Sequence, residues 1–249
     1  MAFDGFVISN IVTELKQKIA GGRIYKIYQP ETDEITLVIK KERNTMRLHI
    51  SASASLPLIY LTTETKTNPM QAPNFCMLLR KHLSNGRIVS ICQPYFERII
   101  DITVEHLDEL GEVCQKHVIV ELMGKHSNII FTDCEGMILD SIKHISANIS
   151  SVREVLPGRT YCAPPSKGKH SIFMLTPELF ANEIIKKPLS LTKALYTSIT
   201  GMSPLIANEV CYRAGLDGND STDSLTEEGA GGLYGQLLKL RTAIEDEDY

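Results

Sequence analysis

Apolar positions change their period several times along the chain, and each change marks an element. Val7, Ile8, Ile11, Val12, Leu15 and Ile19 recur at helical spacing behind Asp4, which suits an N-cap, and Gly21-Gly22 stops the run. Strand-like stretches follow at 23–29, 34–40, 46–51 and 58–62. Tyr25, Ile27, Ile35, Leu37 and Ile39 alternate with polar neighbours there, as half-buried strands do. Past a loop punctuated by Pro69 and Pro73, Phe75 to Leu83 reads as a second amphipathic helix that closes near Gly86. More strands are predicted at 87–93, 98–105, 115–122, 127–132 and 137–140, with turn-like connectors at 108–111 and 133–136. About ten strands with two helices predict an α+β lobe, expected as a sandwich.

Residues 142–170 are polar and broken by Pro157, Gly158, Pro164, Pro165 and Gly168, and read as a linker or ordered loop. Beyond them the pattern turns helical. Thr176-Pro177-Glu178 is an N-cap with proline at the first helical position. Helices are expected at 179–186, 191–199, 203–214 and 231–244. The organisation predicted is therefore an α+β lobe over 1–141, a linker or ordered loop over 142–170, and a small helical, helix-hairpin-helix-like lobe over 171–249.

Composition narrows the class. With 249 residues, 43% hydrophobic and 22% charged, the chain can bury a core and is not a disordered one. No apolar run approaches the roughly 20 residues needed to span a bilayer, so no membrane role is expected. Met1-Ala2-Phe3-Asp4 lacks the basic start and apolar stretch of a signal peptide, which predicts a cytoplasmic protein. The six cysteines form no CxxC pair; reduced core thiols are expected, with no metal and no cofactor. Residues 1–170 carry 20 Lys+Arg against 18 Asp+Glu, while 171–249 carry 6 against 12. A nucleic-acid partner would have to meet a local basic face, because the whole chain carries a net charge of −4.

Polar groups crowd one place where packing has no use for them. Glu121-Leu122-Met123-Gly124-Lys125-His126-Ser127-Asn128 sits between the apolar runs Val118-Ile119-Val120 and Ile129-Ile130-Phe131. One reading is a hairpin or bulge with a polar rim. The other is a binding loop in which Gly124 permits close backbone approach, Lys125 and His126 donate, and Met123 packs on a base or ring. Glu97-Arg98 reads either as a local ion pair or as an arginine fork offered to phosphate, with a carboxylate to orient it. Arg80-Lys81-His82 is a solvated helix face or a phosphate-contacting patch. Gly201-Met202-Ser203-Pro204 joins two predicted helices and could hold a phosphate at a helix N-terminus. No GxSxG, HExxH or P-loop lysine occurs, so the chain is expected to bind a phosphate-bearing ligand and not to be an enzyme.

Several of these stretches, together with Met1 to Phe6, resemble the N-terminal NFACT domain of the bacterial RqcH/FbpA family, long described as fibronectin-binding. The resemblance covers essentially all of the chain and implies a ribosome quality-control factor. Such a factor binds transfer RNA (alanine tRNA in this family) and the large ribosomal subunit, and supports template-independent C-terminal alanine tailing of stalled nascent chains. The family has a coiled coil and further modules after this region. Asp4, Glu97, Arg98, Glu121, Leu122 and Met123 fall on positions the family uses for tRNA engagement, with Gly124, Lys125 and His126 adjoining. Arg80, Lys81, Gly201 and Ser203 are candidate contacts to the RNA backbone. Glu97 stands where the family usually has Asp, and Lys125 where it often has Arg, which loses the bidentate fork. One alternative is a fibronectin-binding surface adhesin. A second is a nucleic-acid-binding protein like the formamidopyrimidine-type DNA glycosylases, whose order of lobes is similar; Ala2 stands where those enzymes have their attacking proline.

Overall fold

The computed structural model describes residues 3–165 and 168–248; Ala2 lies outside them. Their elements run α1 (Gly5–Ile19), β1 (Arg23–Tyr28), β2 (Glu34–Lys41), β3 (Asn44–Ser51), β4 (Leu58–Thr62), α2 (Asn74–Leu83), β5 (Arg87–Cys92), β6 (Ile99–Leu107), β7 (Val113–Glu121), β8 (Asn128–Asp133) and β9 (Ile138–Ser141). The helical elements α3 (Pro177–Leu179), α4 (Leu191–Ser198), α5 (Pro204–Arg213) and α6 (Glu227–Glu245) follow. The fold class is α+β. Two compact units emerge: a β-rich one, chiefly Ile11–Pro94 with Arg98–Pro164, and a helical one made of Asp4–Asn10, Tyr95–Glu97 and the described residues from Pro165 on.

In the β-rich unit the expected sandwich is one antiparallel sheet of nine strands, in the order β4-β3-β2-β1-β5-β6-β7-β8-β9. Two meanders meet at a single residue pair, Arg23↔Arg87. That narrow joint lets the sheet fold over on itself: the Lys143 ammonium donates to the carbonyl of Ala52, although β9 and β3 are far apart in strand order. Helix α2 closes the core with Phe75, Cys76, Leu79 and Leu83 buried.

The uninterrupted apolar runs at 118–120 and 129–131 have a direct cause. Register pairs Val118↔Phe131, Ile119↔Ile130 and Val120↔Ile129 alternate between two faces, and both faces are buried. Ile119 and Ile130 join Ile99, Ile138 and Val155 in a second small core, with Met123, Ile145, Tyr161 and Ala163 packed against it. Its cover is the polar stretch after β9, tied down by the bridges Ile145↔Val155 and Met137↔Thr160.

The helical unit gathers Phe6, Phe96, Ile172, Phe180, Leu195 and Leu237 among its buried core. Tyr95 and Phe96 both adopt left-handed backbone, φ 56° and 58°. The conformation costs roughly 1–2 kcal/mol per residue for L side chains. It is offset by burying Phe96 edge-on to Phe6 and to Phe173, at 5.0 and 5.2 Å between ring centroids. Thr176 caps α3 as the sequence predicts, but the helix expected over 179–186 widens after one turn into a π-type turn, Phe180–Ile184. Helix α6 starts four residues before its expected position because Thr226 accepts from the N–H of Gly229.

Cysteine placement corrects the sequence reading. Cys76 and Cys211 are buried thiols, whereas Cys92, Cys134 and Cys162 are exposed and Cys114 is half-buried. No helix among the described residues is long and apolar enough to cross a membrane.

Candidate nucleic-acid interface

The β7–β8 connection is a tight hairpin. Its last ladder pair is Glu121↔Asn128, and Gly124 to His126 form a single 3-10 turn between them. Internal bonds fix the loop: Met123 N–H donates to Ser127 Oγ at 2.8 Å, and Ser127 N–H donates to the Gly124 carbonyl at 2.9 Å. Gly124 is needed for its φ of +59°; a Cβ there would meet nothing nearer than the Ala54 carbonyl at 3.9 Å. Lys125 and His126 are exposed at the apex. Asn128 is buried and closed off. Its amide accepts from Lys143 N–H at 3.1 Å and donates to the Lys143 carbonyl at 2.9 Å.

Glu121 is fully buried. Its carboxylate accepts from the Arg153 guanidinium, and from the Tyr161 hydroxyl at 2.9 Å. Arg153 also donates to the Cys162 carbonyl at 2.7 Å. Burial would lower the Arg153 guanidinium pKa, but the hydrogen bond and charge of Glu121 raise it overall. Burial, and then the adjacent Glu121 charge, push the Tyr161 phenol well above the ordinary tyrosine range. The triad is thus a closed, charged strut beneath the loop. Sequence reasoning missed Arg153 and Tyr161, which lie in the stretch with no periodicity. A carboxylate ending an apolar run does require a buried partner, but nothing in the sequence says which residue supplies it.

Leu122 is buried as well, and its N–H donates to the Arg98 carbonyl at 2.9 Å. Arg98 therefore sits beside the loop along one sheet, immediately before β6. Its side chain is half-buried, and among the described residues no group accepts from its guanidinium. Met123 is half-buried against the small core. Within the β-rich unit the structure brings together Arg98, Glu121, Leu122 and Met123, with Lys125 and His126 just beyond. Glu97 belongs to the helical unit.

Asp4, Gly201 and Ser203 come together inside the helical unit. Asp4 Oδ1 accepts from the N–H groups of Phe6 and Val7 at 3.1 and 2.9 Å, and Ser203 Oγ donates to Oδ2 at 2.5 Å. The carboxylate thus caps α1 while holding the capping serine of α5. Gly5 N–H donates to the Gly201 carbonyl at 2.7 Å, and a Cβ on Gly201 would lie 2.5 Å from the Phe96 carbonyl. Asp4 is buried in this arrangement, while Gly201 and Ser203 keep partial exposure.

Arg80 is not on a solvated stripe. Its Nε donates to the Ile27 carbonyl at 2.9 Å, and its guanidinium lies over the Tyr28 ring. Lys81 is exposed and makes a loose ion pair with Glu109 at 3.4 Å, of the kind that contributes little.

The family model described as NFACT N-terminal and middle domains matches residues 4–249. Among curated relatives, Rqc2 homolog RqcH of Streptococcus pneumoniae is 41% identical over 84% of the chain. Rqc2 homolog RqcH of Bacillus subtilis is 37% identical over 87%. The chain spans 38% of the length of each. A solved structure described as the N-terminal part of the fibronectin/fibrinogen-binding protein from Streptococcus suis superposes with a TM-score of 0.79 at 34% identity, covering 95% of this chain and 84% of that one.

Proposed function

The chain belongs to the family of NFACT N-terminal and middle domains, and from that premise we propose that it is the RNA-binding domain of a cytoplasmic ribosome quality-control factor. In this reading it engages transfer RNA, alanine tRNA by family resemblance, on the large ribosomal subunit. It supports template-independent alanine tailing of stalled nascent chains without performing chemistry of its own. The observation that carries the reading is the contrast between Arg98 and Glu121. Among the described residues no group accepts from the Arg98 guanidinium, which belongs to a residue beside a loop whose apex presents Lys125 and His126. The Glu121–Arg153–Tyr161 triad holds that loop in place from below.

Roles divide by exposure. Arg98, Lys125 and His126 contact phosphates or base edges, and Met123 offers an apolar edge. Glu121 and Leu122 position them from within. Asp4, Gly201 and Ser203 support the helical unit, to which Glu97 also belongs. Replacing Arg98 with Ala should weaken tRNA binding in a filter assay by about tenfold, the scale of one charge-assisted contact, with the thermal midpoint unchanged. Equal affinity for both proteins would remove Arg98 from the interface.

A second reading, a fibronectin-binding adhesin, rests on the description of the Streptococcus suis structure. Binding of fibronectin that survives Arg98→Ala, with no binding of tRNA by the parent protein, would favour it over the first.

A further inference from the structure

The outer face of β1–β3 carries a second set of cationic and aromatic groups. A bulge between Ile24 and Lys26 breaks the alternation of β1, so Tyr25 and Lys26 are both exposed while Ile24 and Ile27 are buried. The register then builds two rows across the sheet: Lys26, Val38 and Arg47 in one, Tyr28, Thr36 and His49 in the next. Lys40 Nζ stands 3.5 Å from the centroid of the Tyr25 ring, which is 46% exposed. Together with the segment around Glu64 to Asn68 these groups line a cleft of about 330 Å³.

Charge in the cleft is unbalanced. Among the described residues Lys26, Lys40 and Arg47 make no ion pair, while Lys66 is neutralised by Glu34 at 2.6 Å. Glu64 is the one carboxylate on the lining. Three cations without an ion pair on a sheet face attract a polyanion. Beside them stand two tyrosine rings, Tyr25 with Lys40 over one side and Tyr28 half-buried with Arg80 over it, each of which can offer only its other face to a base. Bases stack on such rings only when they are splayed out of a helix, and the cleft volume suits one nucleotide. An acidic peptide would use the cations but has no need of the rings.

We propose that the outer face of β1–β3 binds a single-stranded RNA segment, with a base stacked on Tyr25 or Tyr28 and the flanking phosphates held by Lys26, Lys40 and Arg47. The choice of RNA rests on the function proposed above; the site itself rests on the rings and the unpaired cations.

Fluorescence anisotropy with a labelled single strand of about ten nucleotides tests this, with a blunt duplex of equal length and polyglutamate as competitors. The single strand should bind the 249-residue chain and resist both competitors. Tyr25→Ala should weaken it about tenfold, and Tyr25→Phe, which keeps the ring, should restore it. Arg47→Ala should weaken it and reduce the salt slope by about one. Circular dichroism of each variant confirms that it is folded. Transfer-RNA binding of Arg98→Ala is measured in parallel. If Tyr25→Ala leaves single-strand binding intact while Arg98→Ala weakens tRNA binding, the cleft is not a site and the proposed function stands. If the single strand binds through Tyr25 but tRNA binding is absent, the cleft stands and the function fails. Displacement by polyglutamate as readily as by RNA overturns the cleft assignment.

Discussion

At the scale of single residues, the decisive contrast lies between polar groups that are enclosed and those that are left open. Glu121 is enclosed: its side chain is 0% exposed and its partner Arg153 is 16% exposed. Removing one member of such a pair strands a buried charge, which costs about 3–5 kcal/mol, whereas replacing both by apolar groups costs far less. Arg153→Ala should therefore lower the denaturation midpoint sharply, and the double variant Glu121→Leu/Arg153→Met should recover most of the loss. His117 behaves differently. Its Nδ1 pairs with Asp101 at 3.0 Å, and that hydrogen bond raises its pKa against the opposing effect of burial. The stability it contributes is therefore full below about pH 6.5, the ordinary histidine value, and is lost as pH rises through the raised value. His49, lowered chiefly by burial, has the opposite sign: its contribution is present above about pH 6.5 and lost as pH falls. Urea titrations of the parent and His117→Gln should differ most in mildly acidic buffer and converge as the pH is raised.

At the scale of elements, helix starts carry more than one duty. Ser203 accepts from Ile206 N–H at 3.3 Å to cap α5 and donates to Asp4, the cap of α1. Thr226 caps α6 alone, through Gly229 N–H at 3.1 Å. Loss of a cap costs about 1 kcal/mol, and leaving a buried carboxylate oxygen without its donor adds a comparable or larger amount. Ser203→Ala should thus destabilise by about 2 kcal/mol or more, and Thr226→Ala by about 1 kcal/mol, in chemical denaturation followed by circular dichroism. The cap at Asp4 and most strands were legible in the sequence because each follows from local spacing, whereas the helix of Thr226 was expected to begin at 231 and its cap was not legible. The π-type turn at Phe180–Ile184 was not, since its apolar period matches that of an ordinary helix.

At the scale of the whole molecule, charge is divided between the two parts of the chain. The balance is +2 over residues 1–170 and −6 over 171–249. RNA drawn to the basic part should bind with strong salt dependence, and each phosphate-contacting cation removed should lower the slope of log affinity against log salt by about one. Arg98→Ala and Lys125→Ala should each show that drop for tRNA, while Lys239→Ala, in the acidic helical part, should leave the slope as it is. A slope equal in all three variants would place the RNA elsewhere.

The sequence by itself determined the α+β class, most strand positions and several helix positions, the N-caps at Asp4 and Thr176, and the stretch at 121–128 as unusual. Those features depend on period and on neighbouring residues, which a linear reading captures. Tertiary structure decided which members of that stretch are available. Glu121 and Asn128 belong to the polar rim or binding loop of the sequence reading, yet partners 32 and 15 residues away enclose them. Likewise Gly201 resembles a turn glycine until the Phe96 carbonyl closes on it. Side-chain exposure is set by contacts between distant segments, and a buried charge needs a partner whose position no local pattern encodes.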